Sequence, residues 1–280
     1  MRHSKWIDQI VELQQPDGSW GCFHTLSRPT KAHPMTTEQA LRRLKALGMT
    51  LDDGPIHRAV RYMKQVLNHR IVPPDGREQV LNWDAFEQMM MAVWIRQFAP
   101  CDEQAMDIAR FWVALLDVAF ASGQFDSVAY EVAYRERIPK LHAKERLIGV
   151  PQFYMVALLW DVLDVDTERA FVDHIINNSS GIYYIYDSSI ADVPTQFASL
   201  NASRYLGAIE CLAGYRCAGE KLKFAVDWIV SHKDDSGWDM GASVKDGIYF
   251  PISDSWRKAE WRRDDCTARI EQLLRRLGRV

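Results

Sequence analysis

Short amphipathic or wholly apolar runs alternate along this chain with polar turns that each contain a glycine. Residues 4–14 put Trp6, Ile7, Ile10, Val11 and Leu13 on one side of a helix, which the turn Pro16-Asp17-Gly18 ends. Thr36 to Gln39 has the Thr-x-x-Gln form of a capping box and opens a helix carrying Leu41, Leu44 and Leu47, closed by Gly48. After Pro55, the residues Ala59, Val60, Met63, Val66 and Leu67 form the apolar side of the next helix. A further one starts near Asn82 or Asp84. Its run from Met89 to Ile95 is apolar all round, as in a helix buried on every side. Segments 103–121, 153–163, 167–177, 199–216 and 220–232 also read as helices, and Asp126 to Gly149 is a connection that includes one. The last helix is expected to start at Asp264 or Asp265 and to end at Gly278. The pattern predicts an all-α protein.

The turns between these helices repeat. Gly18 is followed two places on by Trp20, Gly123 by Phe125 and Gly181 by Tyr183. Gly237 has Trp238 directly behind it, and Asp75-Gly76 keeps the turn without the aromatic. The five glycines stand about 47–58 residues apart, a period that suggests stacked helical hairpins. Helices commonly end on a residue at positive φ, which glycine adopts without steric cost. The aromatic that follows is expected to wedge between neighbouring hairpins.

Gln14, Gly18 and Trp20 fit the Gln-x-x-x-Gly-x-Trp pattern repeated in squalene–hopene-type triterpene cyclases. Protein prenyltransferase beta subunits share the general turn. The first copy resembles that pattern residue by residue, and the other copies resemble it as a period. The resemblance implies an alpha-alpha toroid, with inner and outer helices alternating around a central cavity. It makes residues 1–280 a single domain of five hairpins, with room for a degenerate sixth within residues 127–164.

Composition narrows the partners. Apolar residues are 48% of the 280, with ten tryptophans, enough for an aromatic-lined interior. A net charge of −3 gives no electrostatic ground for nucleic acid or an anionic membrane. The apolar runs are short of a membrane span. Five cysteines without a Cys-x-x-Cys pair, and an N-terminus unlike a signal peptide, point to a reducing cytoplasm.

In a toroid the inner-helix N-termini open at one rim, where their unpaired amides favour anions such as phosphates. Loops bring His24, His33, Tyr183, Tyr249 and Trp256 to that rim, and Trp83, Tyr154, Asn201 and Arg204 are the helix-borne candidates for contact with a ligand. An isoprenoid diphosphate fits such a mouth, and so does a sugar. The acids that the resembled cyclases use are missing. The nearest approach to their Asp-x-Asp-Asp is Asp164-Val165-Asp166-Thr167, placed at a helix C-terminus, and no Asp-Asp-x-x-Asp occurs.

Asp264 and Cys266 match the Asp-x-Cys that supplies two zinc ligands in prenyltransferase beta subunits, with Asp264 doubling as a catalytic candidate. The family's third ligand, a later histidine, has no counterpart after His232. No complete motif requires a cofactor, and zinc is the one candidate. Asp84 and Glu87, three apart on one helix, are the acid–base candidates. The expected function is a prenyltransferase- or cyclase-like toroid holding an apolar or isoprenoid-like ligand. The alternatives are a carbohydrate-active hydrolase or lyase and a noncatalytic interaction scaffold.

Overall fold

Side-chain caps start several of the helices. In the computed structural model, which describes residues 5–28, 30–242 and 256–278, Thr36 and Gln39 close a capping box at the head of α2 (Thr37–Ala46). Asn82 caps α4 (Trp83–Phe98), Asp126 caps α6 (Ser127–Arg137), Asp164 caps α8 (Val165–Asn177) and Ser199 caps α9 (Leu200–Leu212). Each side-chain oxygen accepts from an amide that the helix leaves unpaired. The remaining helices are α1 (Lys5–Glu12), α3 (Gly54–Leu67), α5 (Glu103–Ala119), α7 (Phe153–Leu158), α10 (Ala218–Lys221), α11 (Lys223–Ser231) and α12 (Ala259–Arg276). Among the described residues there are twelve helices and no strand, only isolated bridges. The protein is all-α. No described helix is long and apolar enough to cross a membrane, and the five cysteines form no disulfide.

Two compact units divide the chain. The first holds residues 1–108 with 142–146, and the second holds 109–141 with 147–280. In the first unit α3 packs on α4 and α1 on α2. Every residue from Met89 to Ile95 is buried, as an apolar-all-round helix requires. In the second unit α7 packs on α9, and α10 on α8 and α11.

The glycine–tryptophan turn is built twice from the same bonds. At Gly18 (φ +100°) the chain reverses after α1. Trp20 then sends its indole N–H to the Ile10 carbonyl (2.6 Å), and its amide to Thr37 Oγ1 on α2 (2.9 Å). At Gly237 (φ +103°) Trp238 bonds the Ile229 carbonyl of α11 (2.8 Å) and Thr267 Oγ1 of α12 (3.1 Å). Both tryptophans are buried. Gln14 adds a stitch in the first unit. Its amide nitrogen donates to the Gly18 and Pro55 carbonyls, and its oxygen accepts from Arg58. The motif therefore fastens a turn to the helices on either side of it. Gly123 and Gly181 also take positive φ, whereas Gly76 does not.

Several helix boundaries differ from the sequence expectation: α9 stops at Leu212 rather than 216, and the helix expected over 220–232 is divided between α10 and α11. α7 stops at Leu158, and Asp161 at φ +59° breaks the run expected to reach 163. Asp164, expected at a helix C-terminus, is the N-cap of α8, its carboxylate accepting from Asp166 and Thr167 amides. α12 begins at Ala259, so Asp264, Asp265 and Cys266 lie within it rather than at its head.

Candidate functional site

The chemistry expected from sequence is divided between the two units. His24, His33, Trp83, Asp84 and Glu87 belong to the first unit; Tyr154, Tyr183, Asn201, Arg204, Trp256, Asp264 and Cys266 belong to the second. Tyr249 lies outside the described residues.

In the first unit the strongest cluster gathers at the head of α4. Asn82 accepts from Ala85 N and thereby fixes the first turn. Trp83 and Glu87, one turn apart, then meet, the indole N–H donating to Glu87 Oε1 at 3.2 Å. Trp83 packs on Phe86 (ring centroids 5.7 Å), and Phe86 on His24 (6.0 Å). The His24 segment is held by Asp75, whose carboxylate accepts from Phe23 N (2.6 Å), His24 N (2.9 Å) and Ser27 Oγ (2.6 Å). Asp84 is exposed and pairs with Arg77 at 3.3 Å. His33 stands apart, its ring carbons against Gly21 and its backbone tied to Thr30.

Burial pushes the Glu87 carboxyl above the ordinary carboxylate value. Asp84 and Asp75 add to the rise, while the Trp83 indole and Arg77 oppose it. Tyr62 of α3 is raised too, by burial first and then by Asp17, Asp75, Glu87 and Cys22. Glu87 is thus a half-buried carboxyl, among aromatic rings, that keeps its proton to higher pH than an exposed one does. In its protonated form such a group donates a hydrogen bond or a proton to a neutral acceptor.

The raised value carries a sign for stability. Glu87 costs nothing below about pH 4.5, its ordinary value, where both folded and unfolded chains hold the proton. As pH rises past that point the unfolded chain ionises first, and the native state is penalised progressively. Glu87→Gln keeps an oxygen for the Trp83 indole and cannot ionise. Its melting temperature is therefore expected above that of the wild type at pH 7 and equal to it near pH 4. Paired pH–melting curves test this, and a constant offset at all pH values would refute it.

The head of α2 is closed to anions. Thr37 N and Glu38 N donate to the Cys22 and Phe23 carbonyls, and Gln39 N to Thr36 Oγ1. Glu38, fully buried, accepts from Thr25 N (2.8 Å), the Trp94 indole (3.0 Å) and Arg42 (3.3 Å). Sequence reading missed Glu38, although Leu41 three places on marks its side of α2 as the inward one.

In the second unit Trp256 is buried, its indole on Asp265 (2.7 Å) and its carbonyl accepting from Arg262. Arg262 also forks onto both oxygens of Asp239 (2.6 and 2.8 Å), holding that carboxyl below its ordinary range. These bonds form a clasp between Asp239 and α12. Asp264 is exposed and Cys266 buried. Two residues apart on a helix they point to nearly opposite sides, so the pair does not converge on one metal ion. Cys266 is raised by burial, which disfavours the thiolate a metal needs. Among the described residues no three His, Cys, Asp or Glu side chains gather as a metal site. Tyr154 is buried, Arg204 half-buried, and Asn201 exposed beside the Tyr186 hydroxyl.

No family model, curated protein or solved structure matches this chain. Its chemistry must be read from its own residues.

Proposed function

We propose that this chain is a divergent alpha-alpha toroid of the terpenoid cyclase and prenyltransferase type, binding a neutral isoprenoid-like ligand at the head of α4. The repeated bonding of Trp20 and Trp238 supports the hairpin-repeat reading, because it fastens each turn to the helices before and after it. The observation that carries the ligand is Glu87. A carboxyl raised by burial, bonded to Trp83 and close to Phe86, suits an apolar molecule with one neutral acceptor. Asp75 and Asp84 make the place a poor fit for a diphosphate, and the bonded amides of α2 offer it nothing. A protonated Glu87 is also the proton donor if the ligand reacts.

A thermal-shift panel tests this reading, with farnesol, geranylgeraniol, their diphosphates and several oligosaccharides, each with and without Zn²⁺ or Mg²⁺. Ligand at about a hundred times its dissociation constant stabilises by roughly 2.7 kcal/mol, several degrees for a chain of this size. The neutral isoprenols are expected to raise the transition, and Trp83→Ala to abolish the rise. A response to diphosphates alone would move the site to an open helix head. A response to oligosaccharides alone would favour a hydrolase acting through Asp84 and Glu87. No response to any of them would overturn the proposal in favour of an interaction scaffold.

A further inference from the structure

Asp75-Gly76 is the one turn of the series without an aromatic wedge, and its backbone bonds put it to a different use. Residues 68–82 join α3 to α4 without helix or strand. Structureless loops of that length are uncommon in compact domains and often serve as lids or binding loops. Among the described residues no backbone amide from 71 to 81 donates to a backbone carbonyl. Residues 76–80 are all exposed. The segment is held by a few anchors rather than by a ladder of its own, and such elements open before the rest of a domain does.

The anchors fall on two sides of the site at the head of α4. On one side the Asp75 carboxylate accepts from Phe23 N, His24 N and Ser27 Oγ, and the Cys22 thiol donates to the Pro74 carbonyl (3.8 Å). On the other, two residues on, Arg77 pairs with Asp84 in the first turn of α4 (3.3 Å). Further along, the Val80 carbonyl accepts from Arg146 N (2.7 Å). His24 packs on Phe86, and Phe86 on Trp83. Asp75-Gly76-Arg77 therefore bridges the two elements whose side chains make the aromatic wall. A Cβ added at Gly76 would meet no described atom within 4 Å, so the middle of the bridge is not packed down. The two fastenings are unequal. Arg77 and Asp84 are 57% and 55% exposed, and a solvated pair of that kind holds weakly. Three donors on one carboxylate hold firmly.

Taking the head of α4 as the ligand site, we propose that residues 70–81 are a strap that opens and closes over it, with Asp75 as the latch. Release of Arg77 from Asp84 frees the α4 side at little cost. Release of Asp75 lifts the strap from the His24 segment as well. An apolar ligand then enters past His24 and Phe86, and reclosure shuts water out behind it.

Alkylation of the full, ligand-free chain with iodoacetamide, read peptide by peptide, tests the strap. Cys22 reports the latch, exposed Cys101 the reactivity of the reagent, and hydrogen exchange of the α4 amides any unfolding of the first unit. Ser27→Ala removes one latch bond and leaves in place the Asp75 charge, which itself acts on Cys22. It should speed Cys22 alkylation about tenfold, with Cys101 and the α4 amides unchanged. Trypsin cleavage after Arg77 should rise roughly tenfold in Asp75→Asn and about twofold in Asp84→Asn. Unchanged Cys22 and Arg77 rates in the latch variants would overturn the proposal. So would a rise matched by faster exchange throughout α4. In the wild type, farnesol that raises the melting temperature should slow both reactions. A thermal shift without that protection would overturn the strap as a gate. Latch opening with no farnesol shift would uphold the strap and remove the isoprenoid reading instead.

Discussion

Gly18→Ala is expected to lower the melting temperature by roughly 6–12 °C, whereas Gly123→Ala should cost only a fraction of that. Both glycines take positive φ, +100° and +80°, so both substitutions carry the backbone strain of an L-residue in that region, about 1–2 kcal/mol. They differ in what a Cβ would meet. At Gly123 nothing lies within 4 Å. At Gly18 the new carbon would overlap the Arg58 carbonyl, backbone of α3 that cannot swing aside as a side chain does. Clearing it means separating the turn from α3, and with it the bonds from Gln14 to Pro55 and Arg58. A total of about 3 kcal/mol or more follows. Thermal melts of the two variants side by side check this. Equal small losses would mean that the first hairpin absorbs the clash, and that the close contact at Gly18 is not what fixes the turn.

What the sequence made legible was whatever closes locally. The Thr36–Gln39 box satisfies its own amides within one turn, so four residues announce it. Gly18 and Gly237 take positive φ in short turns that their own amides close on the Gln15 and Asp234 carbonyls, just past helix ends that the apolar pattern marks. The head of α12 was not legible. Asp264 and Asp265 read as caps, yet the helix starts five residues earlier. There Arg262 reaches Asp239 and the Trp256 carbonyl, and Trp256 reaches Asp265. Of these partners Asp239, 23 residues from Arg262, lies beyond any window of local pattern. Asp164 failed in the opposite direction. It follows an apolar run and looks like its end, but the positive φ of Asp161 had already broken that run.

The candidate site was half legible for the same reason. Asp84 and Glu87 stand out as a pair on one helix, but the structure separates their circumstances. Asp84 is exposed against Arg77, while Glu87 is partly desolvated against Trp83. The influences that make Glu87 unusual include Asp75 from a turn, which lies at no helical spacing from it. The Asp264–Cys266 spacing, meaningful at a helix head, loses its meaning two residues apart inside a helix.

Trp20 and Trp238 should respond alike to substitution, although they belong to different units. Each fills a buried site and makes the same two bonds, indole to an isoleucine carbonyl and amide to a threonine hydroxyl. Truncation to alanine is expected to cost about 3–5 kcal/mol at either position. Phenylalanine keeps most of the packing and the backbone bond and loses only the indole bond, since the Ile10 carbonyl still accepts from Leu13 N and the Ile229 carbonyl from His232 N, for about 0.5–1.5 kcal/mol. Thr37→Val and Thr267→Val leave the buried tryptophan amide without its acceptor, for about 1–3 kcal/mol. Urea denaturation of the phenylalanine and valine variants, singly and combined, separates the two bonds. If both fasten one ring in one geometry, the double variant at each turn should lose less than the sum of its singles. Strict additivity would show that the indole and amide bonds act independently. Equal non-additivity at both ends of the chain would instead show that the glycine–tryptophan turn is one cooperative unit used twice, with Thr37 and Thr267 as much part of it as the glycine.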